Sequence, residues 1–161
     1  MKPKRNFLNS LAIRLHQNKQ NSDLFLYNSQ HCKKWNIGHH DKKPLLADLA
    51  NIIVVNGKLY ICGGITRSFL NRNYVISSVT SIDVYNKEHD VWEHCSDTVI
   101  ARHGAGTVSV GTFIYIIGGT TTQFNRIHGS VECFDTDTKT WISGVKDLYY
   151  PCKWIQSLAL N

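Results

Sequence analysis

The stretch YICGGITRSF, residues 60–69, returns as YIIGGTTTQF at residues 115–124, 55 positions later. Each copy joins a short apolar run to a Gly-Gly pair and places a phenylalanine at its tenth position. Self-similar sequence at an interval of roughly 20–50 residues is typical of proteins built from stacked structural units. The repeat therefore predicts at least two copies of one supersecondary unit.

Tryptophan residues extend the repeat beyond the glycines. VYNKEHDVW ends at Trp92 and CFDTDTKTW ends at Trp141, 49 residues later, and an aromatic residue stands seven positions before each, Tyr85 and Phe134. A looser copy, LYNSQHCKKW, ends at Trp35. The spacing from tryptophan to the next Gly-Gly is 29 and 27 residues, whereas the spacing from Gly-Gly to the next tryptophan is 28 and 22 residues. The variable length therefore lies after the glycines.

Within each unit, the residue pattern predicts four short antiparallel strands. The first are ANIIVV and GAGTVSV, the second KLYIC and FIYII, the third TSIDVY and SVECF, and the fourth VWEHC and TWISG. The third strands alternate with the period of two of a half-buried strand, and the second strands are apolar on both faces, which favours burial between neighbouring sheets. The sequence NGK at 56–58 marks a tight hairpin, and NKEHD and DTDTK are turn sequences.

These motifs resemble the kelch repeat, in which an apolar strand ends in Gly-Gly and is followed by a spaced tyrosine and tryptophan, with a period of about 50 residues. The resemblance covers roughly residues 22–161. It implies an all-β fold, a segment of a kelch β-propeller with about two and a half to three four-stranded antiparallel blades and an incomplete ring.

The resemblance assigns eight residues to the scaffold rather than to a site. The glycines allow a backbone conformation or a close contact that a side chain would prevent, and the aromatic residues fill the wedge between blades. These residues are Gly63, Gly64, Gly118, Gly119, Tyr85, Trp92, Phe134 and Trp141. Because a blade cannot cover both of its faces alone, repeated packing requires repeated sequence.

The sequence predicts five segments. They are a basic N-terminal segment at 1–21 that includes a degenerate strand, SLAIRLH; a partial blade at 22–38; kelch repeats at 46–95 and 102–144; and the first strand of a truncated blade at 150–161. Propellers close with typically 4–8 blades. We therefore expect a segment of a longer propeller or a short gene product, and self-association through exposed blade edges.

The composition favours a globular intracellular protein. The 18 Lys and Arg residues exceed the 12 Asp and Glu residues, and this charge of +6 favours acidic partners but forms no block suited to nucleic acid. The five cysteines form no C-x-x-C pair, and no apolar run reaches the roughly 18 residues that span a bilayer. We expect a cytoplasmic location, with the nucleus as an alternative, and no membrane partner. A mitochondrial presequence is a further alternative, because the first 22 residues are basic and Phe7, Leu11 and Leu15 have helical spacing.

No catalytic or metal-binding motif stands out. The His-Cys pair at 31–32 and the His-His pair at 39–40 match no zinc pattern, and Cys32 is expected in a turn. The neighbouring His94 and Cys95 are expected on opposite faces of a strand. Nucleophile-elbow, phosphate-loop and paired-carboxylate motifs are absent from the sequence. We therefore predict a protein that is not an enzyme, with no metal and no cofactor.

Recognition is expected in the loops after the second and fourth strands, which emerge on the same face of a propeller. These loops are 65–78 and 120–129 after the second strands, and 38–44 and 96–104 after the fourth. The candidate partner-binding residues are Arg67, Arg72, Tyr74, Arg102, Arg126 and His128. This set predicts a rim that favours an acidic or phosphorylated segment of a protein partner. The alternative is that these residues are the solvated loop residues of a basic protein.

The kelch resemblance also implies a function. Kelch propellers with this repeat style occur most often beside BTB and BACK domains, in proteins that present substrates to cullin ubiquitin ligases. A non-catalytic substrate-adaptor module is therefore the leading interpretation. A kelch protein that binds actin is the alternative, and a propeller enzyme is a remote one.

Overall fold

A computed structural model describes residues 10–17, 21–28, 32–37, 49–70, 73–86, 88–89 and 91–160; up to residue 37, and at 69, 70 and 74, the backbone alone is described. The described chain consists of short strands and one turn of 3-10 helix, Gln123–Asn125, so the predicted all-β fold is confirmed. The strands are β1 (Ser10–Gln17), β2 (Asn21–Asn28), β3 (Cys32–Ile37), β4 (Asn51–Val55), β5 (Lys58–Cys62), β6 (Ile65–Leu70), β7 (Asn73–Ser78), β8 (Ser81–Asn86), β9 (Val91–Asp97), β10 (Gly106–Val110), β11 (Phe113–Ile117), β12 (Val131–Asp135) and β13 (Thr140–Ile142).

Two four-stranded antiparallel sheets dominate the fold. Blade A has the strand order β4-β5-β8-β9, and blade B has the order β10-β11-β12-β13. Short turns join the first strand to the second and the third to the fourth, whereas residues 63–80 in blade A and 118–130 in blade B separate the second and third strands. At Asn56 and Gly57, for example, both φ angles are positive, 49° and 73°, as a two-residue hairpin turn requires. Each blade therefore has the predicted four-stranded antiparallel form.

A third sheet has three strands in the order β1-β2-β3. The segment SLAIRLH lies in β1, which pairs antiparallel with β2 over its whole length. The alternative of a helix here is wrong for residues 10–17, because Leu11, Ile13 and Leu15 also fit the strand period of two and the ladder satisfies the backbone groups. Cys32, expected in a turn, is the first residue of β3.

The predicted recognition loop at 65–78 is instead a β-hairpin, the two-stranded sheet β6-β7. Ile65 lies opposite Ser78, and the ladder continues to Leu70 opposite Asn73. The sequences ITRSFL and NYVISS are rich in β-branched residues, which favour strands, and pairing satisfies backbone groups that a loop would leave to water. The extra length in the first repeat therefore forms additional ordered structure.

No strand forms in residues 150–160, the described part of the last predicted segment, so the expectation of a first strand at 150–161 is not met. Its backbone bonds are isolated: Cys152 accepts from Gly119 at 2.7 Å, and Trp154 donates to Gly104 at 2.6 Å. A strand requires a ladder of such bonds to one partner strand, and no such partner occurs among the described residues.

The core lies between blade A and blade B. One apolar cluster joins both sheets, and Ile82 of blade A and Ile114 and Phe134 of blade B are fully buried in it. Residues 59–62 of β5 are also all buried, in agreement with a second strand that is covered on both faces. Neither blade could bury these side chains without the other.

Aromatic pairs lie across the hairpins that join the third and fourth strands. Tyr85 is opposite Trp92 with ring centroids 5.3 Å apart, and Phe134 is opposite Trp141 with centroids 5.1 Å apart. Trp141 also reaches the other blade, since its indole Nε1 donates to Ser96 Oγ at 3.1 Å. The aromatic pair of blade B therefore packs between the two blades.

The glycine pairs lie where two backbone segments approach closely. Gly118 has a φ of 59°, and a Cβ at this position would lie 2.6 Å from the carbonyl oxygen of Cys152. Blade A repeats the arrangement, since a Cβ on Gly63 would lie 2.7 Å from the carbonyl oxygen of Arg102. A side chain at Gly63 would displace the connection to blade B, and a side chain at Gly118 would displace the segment around Cys152, so both positions require glycine.

Arg102 holds the connection between the blades. Its side chain is 1% exposed, and its Nη1 donates to the carbonyl oxygens of Gly118 at 2.9 Å and Ser130 at 3.0 Å. Its Nη2 donates to the carboxylate of Glu132, which also accepts from the backbone N–H of Val99 at 2.7 Å. Burial lowers the pKa of Arg102, and the Glu132 carboxylate opposes that shift.

Truncating the buried aromatic residue of blade B should destabilise the protein strongly. We expect Phe134→Ala to lower the free energy of unfolding by about 3–5 kcal/mol, because the residue is fully buried and a cavity would remain. Phe124→Ala is the matched control, because Phe124 is 91% exposed and its truncation should cost under about 0.5 kcal/mol. Urea denaturation followed by circular dichroism measures both, and equal losses would contradict the position of the core.

Removing the buried guanidinium group should also be costly. Arg102→Ala leaves the carboxylate of Glu132 without its charged partner, and we expect a loss of unfolding free energy of about 3–5 kcal/mol. Arg126→Ala removes the same side chain from an exposed position and should change stability by about 0.5 kcal/mol or less. The double variant Arg102→Met with Glu132→Leu should lose less than Arg102→Ala, because no buried charge remains. Similar effects of Arg102→Ala and Arg126→Ala would show that the ion pair is not structural.

Candidate functional site

The blades bring several connections to one end of the sheets. The ends of β5 and β11, marked by the glycine pairs, and the connections that follow the fourth strands emerge there. We call this surface the loop face and define it as hairpin β6-β7 with residues 98–105, 120–130 and 148–154. Loops on a rigid scaffold are the usual carriers of recognition, which makes the loop face the candidate site.

Hydrogen bonds fix the hairpin β6-β7 against the loops of blade B. The N–H of Thr122 donates to Ser78 Oγ at 2.9 Å, and the N–H of Ser78 donates to Thr122 Oγ1 at 3.0 Å. Ser78 Oγ also lies 3.1 Å from Nδ1 of His103, and His103 exchanges two backbone bonds of 2.9 Å with Thr120. Loops from both blades therefore form one connected surface.

The segment after blade B completes this surface. Leu148 donates to the carbonyl of Gly129 at 2.8 Å, and Cys152 donates to the carbonyl of His128 at 3.2 Å. The ring of Trp154 packs edge to face on His103, with centroids 6.0 Å apart. Residues 148–154 thus lie along the loop that carries residues 120–130.

The predicted site residues differ in their placement. Arg67 lies exposed in β6, and Arg126 lies exposed in the loop of blade B. His128 is half-buried, and its Nε2 is buried with no hydrogen-bond partner among the described residues. Arg72 and the side chain of Tyr74 lie outside the described residues.

The burial of the Arg102 side chain contradicts the prediction that it is an exposed partner-binding residue of the loop. Its guanidinium group is buried against Glu132 and backbone carbonyls, so it cannot contact a partner at the rim. A sequence pattern of loop residues between two strands does not distinguish a charge that points outward from one that neutralises a carboxylate 30 positions later. The acidic residue in the third strand, Glu132, is the sequence feature that could have indicated this pairing.

The histidines of the loop face are less basic than a free histidine. Burial is the main cause of the lowered pKa of both His103 and His128; Lys153 adds to it at His103, and Arg102 and Arg126 add to it at His128. Both imidazoles are therefore neutral at pH 7 and add no positive charge. Among the described residues, the exposed cations of the loop face and its margin are Arg67, Arg126, Lys146 and Lys153.

Exposed aromatic side chains are the feature of the loop face that the sequence interpretation missed. Phe124 is 91% exposed, Tyr149 is 89% exposed and Trp154 is 59% exposed. Tyr149 also packs edge to face on Tyr150, with ring centroids 4.6 Å apart. The sequence LYYPCKW at 148–154 has three aromatic residues in seven and a proline, which could have indicated an aromatic loop rather than a strand.

The described residues include no group of three or more His, Cys, Asp or Glu residues that could hold a metal ion. Burial raises the pKa of the Cys62, Cys95 and Cys133 thiols, which disfavours the nucleophilic thiolate. His94 lies 3.3 Å from the Asp83 carboxylate through its Nδ1. The His-Cys pair at 31–32 and the His-His pair at 39–40, which match no zinc pattern in the sequence, have side chains outside the described residues.

Within the described ranges, no helix is long and apolar enough to cross a membrane.

Comparison with protein families matches two stretches of the chain, residues 49–98 and 101–146, to the Kelch motif. These stretches contain blade A and blade B, with their glycine pairs and aromatic pairs. The match therefore covers the strands from which the loop face emerges.

Curated relatives match a similar part of the chain. Alpha-scruin of Limulus polyphemus is 32% identical over 113 residues, which are 69% of this chain and 12% of that protein. Kelch-like protein 15 of Homo sapiens is 32% identical over 104 residues, which are 63% of this chain and 16% of that protein. The chain thus spans less than a fifth of the length of these relatives.

Among solved structures, the kelch propeller YjhT superposes with a TM-score of 0.65 and 16% sequence identity. The superposition covers 81% of this chain and 47% of the YjhT chain. At this identity the likeness shows the fold, an unclosed part of a propeller. With two kelch motifs, kelch relatives and a propeller arrangement of its sheets, the chain belongs to the kelch-repeat family and is a protein-interaction propeller module.

Proposed function

We propose that the loop face binds a short acidic or phosphorylated segment of a partner protein, and that the module acts as a substrate adaptor of the kind associated with cullin ubiquitin ligases. The kelch-like relatives support the adaptor role, and the loop face supports the binding chemistry. An adaptor of this kind also uses BTB and BACK domains, and these domains would have to lie outside these 161 residues.

The observation that carries the proposal is the combination of exposed aromatic and cationic side chains on loops with fixed backbones. Phe124, Tyr149 and Trp154 offer rigid apolar area, and Arg126 and Lys153 lie in the same two loops. Aromatic residues and arginine are the side chains that most often dominate the energy of protein interfaces. Arginine also binds carboxylates and phosphates through two parallel hydrogen bonds.

Hairpin β6-β7 belongs to the proposed surface. Arg67 lies on it and is exposed, and Arg72 and Tyr74 remain part of the proposal by their position in the same hairpin. The bonds between Ser78 and Thr122 tie the base of this hairpin to the loop that carries Arg126. A partner segment would therefore contact both blades.

Actin binding is the second candidate function. Exposed cations and aromatic residues on the loop face would also suit the acidic surface of an actin filament. Co-sedimentation with filamentous actin tests this alternative, whereas capture of cullin-ligase subunits and client proteins from lysate tests the adaptor role.

Charge reversal on the loop face should weaken binding without unfolding the protein. We expect Arg126→Glu with Lys153→Glu to reduce the affinity for a fluorescein-labelled phosphoserine-glutamate peptide at least about tenfold, which corresponds to about 1.4 kcal/mol. Fluorescence anisotropy measures the affinity, and the affinity should fall as salt rises because the charges are screened over about 8–10 Å.

Lys58→Glu with Lys139→Glu is the matched control for this experiment. Both lysines are exposed at the opposite end of the blades, Lys58 as the first residue of β5 and Lys139 in the turn between β12 and β13, so the net charge changes equally while the loop face stays intact. If both double variants bind equally well, or if binding does not respond to salt, the loop face is not the binding site.

A further inference from the structure

The hairpin β6-β7 of blade A stands beside a shorter loop of blade B. The two connections end at equivalent residues, because Gly63 donates to the carbonyl of Ser81 as Gly118 donates to the carbonyl of Ser130. Residues 65–80 form the connection in blade A, and residues 120–129 form it in blade B, which is six residues fewer. The upper part of the hairpin therefore extends past its neighbour.

The register of the hairpin shows which backbone groups of β7 face outward. The N–H of Val79 donates to the carbonyl of Gly64 at 2.9 Å, which makes these two residues a hydrogen-bonded pair at the base of the ladder. Hydrogen-bonded and non-hydrogen-bonded pairs alternate along antiparallel strands, so every second residue of β7 directs its backbone N–H and C=O away from β6. These residues are Ser78, Ile76 and Tyr74.

The loop of blade B contacts this outer edge of β7 at its lowest position. The N–H of Ser78 donates to Thr122 Oγ1 at 3.0 Å, and the chain then reverses direction in the 3-10 turn Gln123–Asn125. Among the described residues, no backbone group pairs with the outward N–H and C=O of Ile76 or Tyr74. The open part of the edge thus lies at the junction of blade A and blade B, where the neighbours on both sides are described.

The sequence of β7 does not protect this edge. Natural sheets commonly block exposed edges with proline, with charged side chains or with bulges. The sequence NYVISS contains no proline and no charged residue, and its pairing with β6 is continuous from Asn73 to Ser78. Ile76 is also 42% exposed. An unprotected edge of this kind is a template for an added strand.

The charge around the edge favours an acidic strand. Residues 63–80 and 118–131 contain no Asp or Glu, and they contain Arg67, Arg72 and Arg126. Arg67 lies on β6 opposite Ile76, and Arg126 lies in the loop of blade B, where its carbonyl accepts the N–H of Thr121 at 3.0 Å. A negatively charged segment would meet a cation on either side, whereas the same edge of a second copy would bring like charges together.

We propose that the outer edge of β7 receives the acidic or phosphorylated partner segment as an added β-strand, an inference that rests on the proposed function. About five residues of the segment pair with residues 74–78. Its acidic side chains lie on the face of the sheet that carries Arg67, and the alternate side chains lie beside Val75. The backbone groups of Ile76 and Tyr74 supply binding that does not depend on the partner's side chains.

Proline at position 76 tests the use of the edge. Ile76→Pro removes an outward N–H and leaves the bonds between β6 and β7 intact, since the N–H of Ile76 does not face β6. We expect its affinity for a fluorescein-labelled Val-Glu-Val-pSer-Val-Glu-Val peptide, measured by fluorescence anisotropy, to fall at least about tenfold. Ile76→Ala keeps the N–H and is the control, with an affinity within about threefold of the unmodified protein. Equal affinities of the two variants would overturn the proposal.

Backbone methylation of the peptide tests the same pairing without any change to the protein. In an added strand, alternate N–H groups of the peptide face β7 and the intervening ones face away. N-methylation of the first set should reduce the affinity at least about tenfold, and N-methylation of the second set should change it by about threefold or less. If the two methylated peptides bind equally well, the segment is not a strand on this edge.

Hydrogen exchange of the 161-residue protein locates the added strand. On saturation with the peptide, the amides of Ile76 and Tyr74 should exchange at least about tenfold more slowly, whereas those of Val75 and Ser77, which already face β6, should change less. Protection of the Ile76 and Tyr74 amides in the free protein would show that another part of the chain or a second copy occupies the edge, and it would overturn the proposal.

Failure of this inference and failure of the proposed function give different results. If Arg126→Glu with Lys153→Glu weakens binding of the peptide, but Ile76→Pro and both methylated peptides behave like their unmodified counterparts, the loop face binds the segment and the strand pairing is wrong. If the unmodified protein does not bind the peptide, the proposed function fails and the inference fails with it.

Discussion

Arg102 is bound from both sides of the junction between blade A and blade B. Its carbonyl oxygen accepts the N–H of Gly64 at 3.0 Å, and its guanidinium group lies in blade B on Gly118, Ser130 and Glu132. A buried charge is tolerated only when its donors are satisfied and an opposite charge lies beside it. The relative position of the two blades, and of the loops that they carry, depends on this contact.

The junctions along the chain are chemically different from each other. The position equivalent to Arg102 after blade B is Cys152, which cannot make the hydrogen bonds of a guanidinium group. Beyond blade B, packing relies on apolar contacts such as that of Ile155 on Gly106. Within the described chain, the contact beyond blade B therefore has no counterpart of the ion pair between Arg102 and Glu132.

Rigid blades have a direct consequence for recognition. The bonds between Ser78 and Thr122, and between His103 and Thr120, hold loops from different blades at fixed positions. The lowered pKa of the His103 and His128 imidazoles and the burial of Arg102 leave a few exposed arginines and lysines to supply the positive charge that a partner meets. Exposed aromatic rings such as that of Trp154 supply the contact area. Pre-ordered loops reduce the entropy that binding would otherwise cost.

The sequence by itself determined the repeat, the four strands of each blade and the glycine and tryptophan positions, because period-two alternation, tight turns and glycine conformation act over a few residues. Only the tertiary structure decided that the hairpin at 65–78 is bonded to the loop of blade B, that Arg102 is buried and that Phe124 and Trp154 are exposed. The first two outcomes depend on partners brought close from tens of residues away: Thr122 follows Ser78 by 44 positions, and Glu132 follows Arg102 by 30. Burial and charge neutralisation are properties of such long-range contacts, and a local pattern does not contain them.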